Sequence, residues 1–299
     1  MSDVAGVVVN YNAKDYLMAC LASLEREALG PVIVVDNGSS DGSEAAVLAQ
    51  YPDVKWAPTG ANLGYGGGAN LGAGMVDAPY LLICNPDVVV HEGAVATLRR
   101  FLDERPPVAL VGPRIVDRAG SLYPSARRFP DLLESFMHGF LGQVWPSNPF
   151  SRRYRMNDWD HRSAREVDWV SGACCLVRRS AWEEVGGFDQ DFFMYMEDVD
   201  LCLRLRNRGW AVAYEPGAEI MHVQGVSADR HPYRMLLAHH RSMWLFARRT
   251  TTGWRRSLLV LVWPALAVRF GLTSARRALG AARSRASRPG REAPGRAGG

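Results

Sequence analysis

Tyr80-Leu-Leu-Ile-Cys-Asn-Pro-Asp-Val-Val-Val90 is a run of buried-strand residues that breaks into a short polar turn carrying one carboxylate, Asp87. Ligands of open α/β sheets collect just beyond the carboxyl ends of the strands, so Asp87 stands where a metal-bound phosphate can sit. Pro31-Val-Ile-Val-Val-Asp-Asn-Gly-Ser-Ser-Asp-Gly42 repeats the design, with Asp36 at its tip. Two strands that each release an aspartate at the end point to a nucleotide site.

Outward from these two segments, residues 1–115 alternate apolar runs with helical spacing. Strands are predicted at Val4–Tyr11, Pro31–Val35, Val54–Pro58 and Tyr80–Cys84, and helices over Asp15–Glu27, Ala45–Gln50, Asn62–Met75 and Gly93–Arg105. This alternation predicts an α/β fold, a Rossmann-like and mostly parallel sheet with helices on both faces. From Pro113 to Arg165 no period stands out, which predicts long surface loops or an acceptor-facing insert. Order returns with a strand over Val167–Val177, helices over Ser180–Val185 and Asp198–Arg208, and short strands at Val212–Tyr214 and Glu219–His222.

The bulk composition, 47% hydrophobic and 22% charged in 299 residues, is that of a globular protein. Its net charge of +4 hides an asymmetry: Pro232–Gly299 holds 14 Arg, no Lys and one acid, a local +13, which leaves −9 on the first 231 residues. An acidic body with a basic end argues against nucleic acid as a partner and for an anionic membrane surface. The five cysteines form no zinc spacing and lie mostly in apolar runs, which suits a reducing, cytosolic setting. The N-terminus enters a strand directly, with no signal-peptide pattern. After Pro232, Met235–Arg249 is predicted as an amphipathic helix. Ser257–Val268 is an apolar run interrupted by Pro264, short of the ~20 residues a spanning helix needs, so interfacial helices over 232–283 are expected, with a helical pair packed on the catalytic domain and solvated arginines as the alternative. The Arg/Pro/Gly/Ala-rich residues 284–299 are expected to be disordered.

Candidate chemistry falls on five segments. Asp36 can accept a hydrogen bond from a base N–H, and equally Asp36 and Asp41 can cap the following turn and helix. Asn62-Leu-Gly-Tyr-Gly-Gly-Gly-Ala-Asn70 is either a glycine loop that lets phosphate approach a helix N-terminus or a structural turn. Asp87 can hold a hard divalent cation that neutralises a diphosphate. Asp191-Phe-Phe-Met-Tyr-Met-Glu-Asp-Val-Asp200 places three carboxylates, Glu197, Asp198 and Asp200, after an aromatic stretch at a helix start. One of them can be tuned as a general base while the others orient it or bind acceptor hydroxyls; helix-dipole preference alone also favours acids there. His222 ends a strand and is either structural, a metal ligand or a donor to phosphate.

With these segments in place, the chain resembles the family 2 inverting glycosyltransferases of GT-A fold, in the bacterial rhamnosyltransferase-like branch. The resemblance rests on Val8-Val-Asn-Tyr-Asn12, Val35-Asp-Asn-Gly-Ser-Ser-Asp-Gly42, Asn62-Leu-Gly-Tyr-Gly66, Asn85-Pro-Asp87, Gly186-Gly-Phe-Asp189 and Phe192-Phe-Met-Tyr-Met-Glu-Asp-Val-Asp-Leu201. It implies a nucleotide-diphosphate sugar donor, contacted by Val8, Asn10, Asp36, Asn62, Gly64 and Asn85, and a divalent cation, Mg2+ or Mn2+, on Asp87 with His222. It implies Asp198 as the base, paired with Glu197, and acceptor contacts from Trp169, Ser171, Gly172 and Asp200. The usual Asp-x-Asp is here Asn85-Pro-Asp87, which leaves one carboxylate. By the same resemblance 1–115 is the nucleotide-sugar half, 116–231 the acceptor and catalytic half, and 232–283 a membrane-associated extension. The implied reaction moves L-rhamnose from dTDP-L-rhamnose to a polyprenyl-diphosphate-linked GlcNAc in cell-wall assembly, at the cytoplasmic face of the membrane. Two alternatives stand beside it: a transferase of the same fold using a UDP-hexose on a polysaccharide, and a non-enzymatic nucleotide-sugar-binding scaffold.

Overall fold

The apolar runs of the first half become β1 (Val4–Asn10), β2 (Val32–Asp36), β3 (Lys55–Pro58) and β4 (Tyr80–Cys84). They pair in parallel in the order β3-β2-β1-β4, which sets Asn10 directly opposite Asp36. In this computed structural model residues 3–129, 145, 147–223 and 232–286 are described, the side chains of 276–286 excepted. Helices α1 (Lys14–Leu24), α2 (Ser43–Gln50), α3 (Gly64–Gly74) and α4 (Ala94–Glu104) connect the strands. Side chains alternate along a strand, so β1 sends Val8 to the face covered by α1, α2 and α4, and Val7 and Val9 to the face covered by α3.

Glycines let α3 lie close on the sheet. A Cβ at Gly72 would stand 2.5 Å from Val7 Cγ1 and one at Gly68 2.7 Å from Val9 Cγ1. Most of the glycine-dense stretch is therefore helix packed on strands, and close packing of α3 accounts for Gly68 and Gly72.

The second half completes a ten-stranded sheet in the order β3-β2-β1-β4-β11-β6-β12-β5, using β5 (Val88–Val90), β6 (Val108–Val116), β11 (Cys174–Arg178) and β12 (Ala211–His222). Strand β11 runs antiparallel between β4 and β6, β12 is parallel to β6, and β5 is antiparallel to the end of β12. Three expectations change here. Central strand β6 was masked in the sequence by Gly112-Pro113. A Cβ at Gly112 would meet Val170 at 2.8 Å, and Pro113 sits where pairing with β12 shifts register between Glu215 and Glu219. The two short strands predicted at 212–214 and 219–222 are one strand, β12, carrying that irregularity. The single strand predicted over Val167–Val177 is three pieces: β9 (Arg165–Val167), β10 (Trp169–Val170) and β11, with a turn at Ser171–Ala173.

The aperiodic region also holds β7 (Leu122–Tyr123), β8 (Ala126–Arg127) and α5 (Pro149–Tyr154), capped by Asn148, whose Oδ1 accepts from the Ser151 N–H at 2.9 Å. Its residues 130–144 and 146 lie outside the described residues. Helices α6 (Arg179–Val185) and α7 (Glu197–Asn207) cover the α3 face of the sheet.

Helix α8 (Pro232–Thr250) does not stand apart from the catalytic body. Phe246 is buried in the same core as Trp182, Phe188 and Leu205. After a 3₁₀ turn at Gly253–Leu258, α9 (Leu259–Ala286) continues through Pro264. The expectation that no segment is long enough to span is overturned: Gly253–Ala275 is 23 residues and holds an 18-residue window of mean hydropathy 1.7, long and apolar enough to cross a membrane by length and composition alone. Residues 284–286 are helical, and 287–299 of the tail expected to be disordered lie outside the described residues.

Candidate active site

The carboxyl ends of the parallel strands β1, β2 and β4 lie side by side. Asp36 Oδ1 accepts from Asn10 Nδ2 at 2.9 Å, and its Oδ2 accepts from the Ser39 N–H at 2.9 Å. The aspartate is thus fixed at the strand tip. Asp41 takes the capping role: it accepts from the N–H groups of Lys14 and Ser43, at the starts of α1 and α2. Asn37 Nδ2 donates to Gly64 O at 2.9 Å, which brings the start of α3 beside Asp36, and Asn62 Oδ1 accepts from the Gly64 N–H. Gly64 has φ +78°, and a Cβ there would lie 2.2 Å from Phe193 O, so only glycine fits. Val8 is fully buried and paired on both sides, to Val34 and Cys84. Its expected nucleotide contact is corrected: the side chain packs the core.

Strand β5 explains how Asp87 finds a partner. Val88 pairs with His222 at the end of β12, and Asp87 Oδ1 then lies 3.2 Å from His222 Nε2. Asn85 Nδ2 stands 3.4 Å from the same nitrogen. Among the described residues, His222 Nδ1 is buried without a partner. A carboxylate oxygen facing an imidazole nitrogen is a donor set that suits a divalent cation. Among the described residues no third His, Cys, Asp or Glu joins them, so a cation held here would complete its shell from diphosphate and water.

The turn Ser171–Ala173 joins this pair to the carboxylates of α7. Ala173 O accepts from the Asn85 N–H at 2.9 Å, while the Gly172 N–H donates to Asp198 Oδ2 at 3.0 Å. A Cβ at Gly172 would stand 3.2 Å from Asp198 Cβ, so the glycine allows the approach. Tyr65 Oη, from α3, donates to Gly172 O and locks the turn from the other side.

Burial raises both acids of the Glu197–Asp198 pair, but unequally. Glu197 is pushed well above the usual carboxylate range by burial and by the charge of Asp198, and its Oε2 is buried without a partner. Asp198 is half-buried, and its rise is opposed by the N–H groups of Gly172 and Val199 and by the Arg127 guanidinium. Asp200 has another commitment: its Oδ2 accepts from Arg204 Nε at 2.7 Å, one helical turn on. Trp169 is buried and donates from Nε1 to Arg128 O, and the Arg127 guanidinium lies 5.1 Å over its ring. Ser171 Oγ accepts from the Ala173 N–H inside the turn.

Arg127, Tyr65 and Tyr154 surround Asp198 and its turn; the sequence carried Tyr65 only inside the Asn62–Gly66 motif and did not single out the other two. Arg127 donates to Tyr123 Oη at 2.7 Å and lies over the Tyr154 ring at 5.7 Å. It sits in the aperiodic stretch, where nothing separates it from its neighbour Arg128.

Comparison with known proteins places this geometry. The chain is 44% identical, over 87% of its own length and 89% of the relative's, to N-acetylglucosaminyl-diphospho-decaprenol L-rhamnosyltransferase of Mycobacterium tuberculosis (strain ATCC 25618 / H37Rv). It is 28% identical to Rhamnosyltransferase WbbL of Escherichia coli (strain K12), over 72% of this chain and 81% of that one. Its fold is similar to that of mannosyltransferase PcManGT from Pyrobaculum calidifontis, solved with GDP-Man and Mn2+, with a TM-score of 0.56 at 16% identity over 94% of this chain and 79% of that one. It is also similar to S. aureus TarS solved with UDP, with a TM-score of 0.55 at 13% identity over 87% and 69% of the two chains. Residues 2–252, α8 included, match the family described as Glycosyltransferase like family 2. The chain belongs to that family: it is a glycosyltransferase of GT-A fold.

Proposed function

We propose that the protein transfers L-rhamnose from dTDP-L-rhamnose to a polyprenyl-diphosphate-linked GlcNAc, with inversion, in cell-wall assembly. The substrates follow the name of the 44% identical relative. The observation that carries the mechanism is the Ser171–Ala173 turn, hydrogen-bonded on one side to Asn85, two residues from Asp87, and on the other to Asp198.

In this reading residues 1–115 bind the donor, with Asp36 accepting from the base N–H and Asn10, Asn62, Gly64 and Asn85 lining the nucleotide path. Residues 116–231 bind the acceptor. Asp198 takes the proton of the attacking GlcNAc hydroxyl, because Glu197, deeper and without the Gly172 N–H and Arg127 guanidinium that support Asp198, keeps its own. Glu197 then adds no second negative charge beside the base. Asp87 and His222 would hold Mg2+ or Mn2+, which when bound neutralises the charge of the departing diphosphate. Arg127 keeps Asp198 ionised and, with Trp169 and Tyr154, walls the acceptor side against water.

Association with the cytoplasmic membrane face is assigned to α9, within the membrane-associated region 232–283. One of its faces lies on α8, where Arg269 Nη1 meets Met243 Sδ at 3.4 Å and His240 meets the Phe270 ring at 5.7 Å. Another leaves Val260 (72%), Leu261 (65%) and Trp263 (62%) exposed. A helix anchored along one side by the catalytic body suits peripheral burial in an anionic interface better than a span.

A donor panel tests the substrate reading. Nucleotide release with dTDP-L-rhamnose should exceed that with UDP-glucose, UDP-galactose or GDP-mannose in the presence of the lipid-linked acceptor. Preference for a UDP-hexose would transfer the chain to the polysaccharide alternative.

A further inference from the structure

The segment that delivers the two acids is held from two sides. On one side it meets α3, where the Tyr65 N–H donates to Phe193 O at 3.3 Å. On the other it meets α8. Arg249 Nη1 lies 2.5 Å from Asp189 Oδ2, and its Nη2 donates to Asp191 Oδ2. The same guanidinium lies 5.4 Å over the Phe192 ring. Two further contacts run along the helix: Ser242 Oγ donates to Met194 O at 2.9 Å, and the His239 and Tyr195 rings are 5.0 Å apart.

Between these anchors and Glu197 the backbone is strained. Tyr195 and Met196 stand at φ +66° and +69°, a left-handed conformation that side chains other than glycine disfavour, and Met196 is the N-cap residue of α7. Such a turn persists only when its surroundings over-determine it. Contacts from α8 touch Asp189, Asp191, Phe192 and Met194, which lead into the strained pair, and Tyr195 within it.

We infer that α8 is a positioning element for the acid pair, and that Arg249, bridging Asp189 and Asp191, is its principal positioning residue. This rests on the reading of Asp198 as the base. Arg249 contacts Asp189, Asp191 and the Phe192 ring rather than Glu197 or Asp198, so it acts by fixing the turn from which α7 starts. The ion pairs are largely exposed, with side-chain exposures of 36% for Arg249, 30% for Asp189 and 66% for Asp191, so they add little to overall stability. Their effect belongs in kcat.

The test uses full-length enzyme with a polyprenyl-diphosphate GlcNAc and whichever donor releases nucleotide fastest in the panel. Arg249→Ala should lower kcat by about 10- to 100-fold, the scale of a small misplacement of a reacting group, while donor KM and Tm hold. Asp191→Asn should lower kcat in the same sense, and Arg249→Lys, able to reach one carboxylate, should recover part of the loss. Unchanged kcat in Arg249→Ala, or losses of kcat, donor affinity and Tm in proportion, overturns the inference. Asp198→Asn measured alongside separates the two claims. If that variant turns over normally, the base assignment has failed; if it is inactive while Arg249→Ala is normal, only the positioning role has failed.

Discussion

Glu197 and Asp198 are neighbours on one turn of helix, and their different surroundings divide the labour between them. Asp198 reaches the Gly172 N–H and the field of Arg127; Glu197 has burial and a negative neighbour. Asp198→Asn should therefore keep donor affinity and lose transfer by roughly 10²-fold or more, measured as kcat beside a donor titration. Glu197→Gln copies the protonated acid and should keep most turnover; a loss as severe as that of Asp198→Asn would move the base to Glu197. The same shift has a stability consequence. An unfolded Glu titrates near about 4.3, so above that pH the unfolded chain releases a proton that folded Glu197 retains. Stability falls as pH rises from there through the folded value. Urea midpoints of Glu197→Gln should exceed wild type at pH 7, with no gain at roughly pH 4 and below. Equal midpoints at both pH values would show that Glu197 is not held protonated. At the donor end, Asp87→Ala should abolish Mn2+-dependent binding of the nucleotide diphosphate, read by titration with and without EDTA. Full wild-type activity in EDTA would mean that side chains alone neutralise the diphosphate.

At the scale of elements, α8 is where chemistry and folding meet. Phe246 is 5% exposed and packs with residues of α6 and α7, so Phe246→Ala should cost about 3–5 kcal/mol in urea unfolding. A cost under about 1 kcal/mol would show α8 to be loosely applied, as surface substitutions are. The helix was legible from its period, but its place in the core was not, since an apolar stripe does not name its partner. Elements of the first half could be read because their strands are continuous apolar runs with turn residues at the ends. Strand β6 could not, because Gly112-Pro113 reads as a break until Val170 is seen crossing above it and the register with β12 is seen to shift there. Nor could the Asp87–His222 pair be derived from either residue alone: it needs β5 to turn back and pair Val88 with His222 of β12, 134 positions further along the chain.

At the scale of the whole molecule, the family match ends at residue 252, between α8 and α9. Full-length protein should sediment with anionic vesicles and be released by alkaline carbonate, as a peripheral helix is. Retention through carbonate would instead mean that α9 spans. A chain ending at residue 252 should stay folded, bind nucleotide and remain with the supernatant. The basic charge of this end was plain in the sequence, while its helix length was not, because Pro264 suggested a stop where the helix continues. All of these elements serve one proposed reaction, a single displacement at the anomeric carbon with Asp198 as base. The anomeric configuration of the product, read by NMR against that of the donor, tests it most directly. Inversion in the wild type is the predicted result; retention of the donor's configuration would contradict the single displacement and the role given to Asp198.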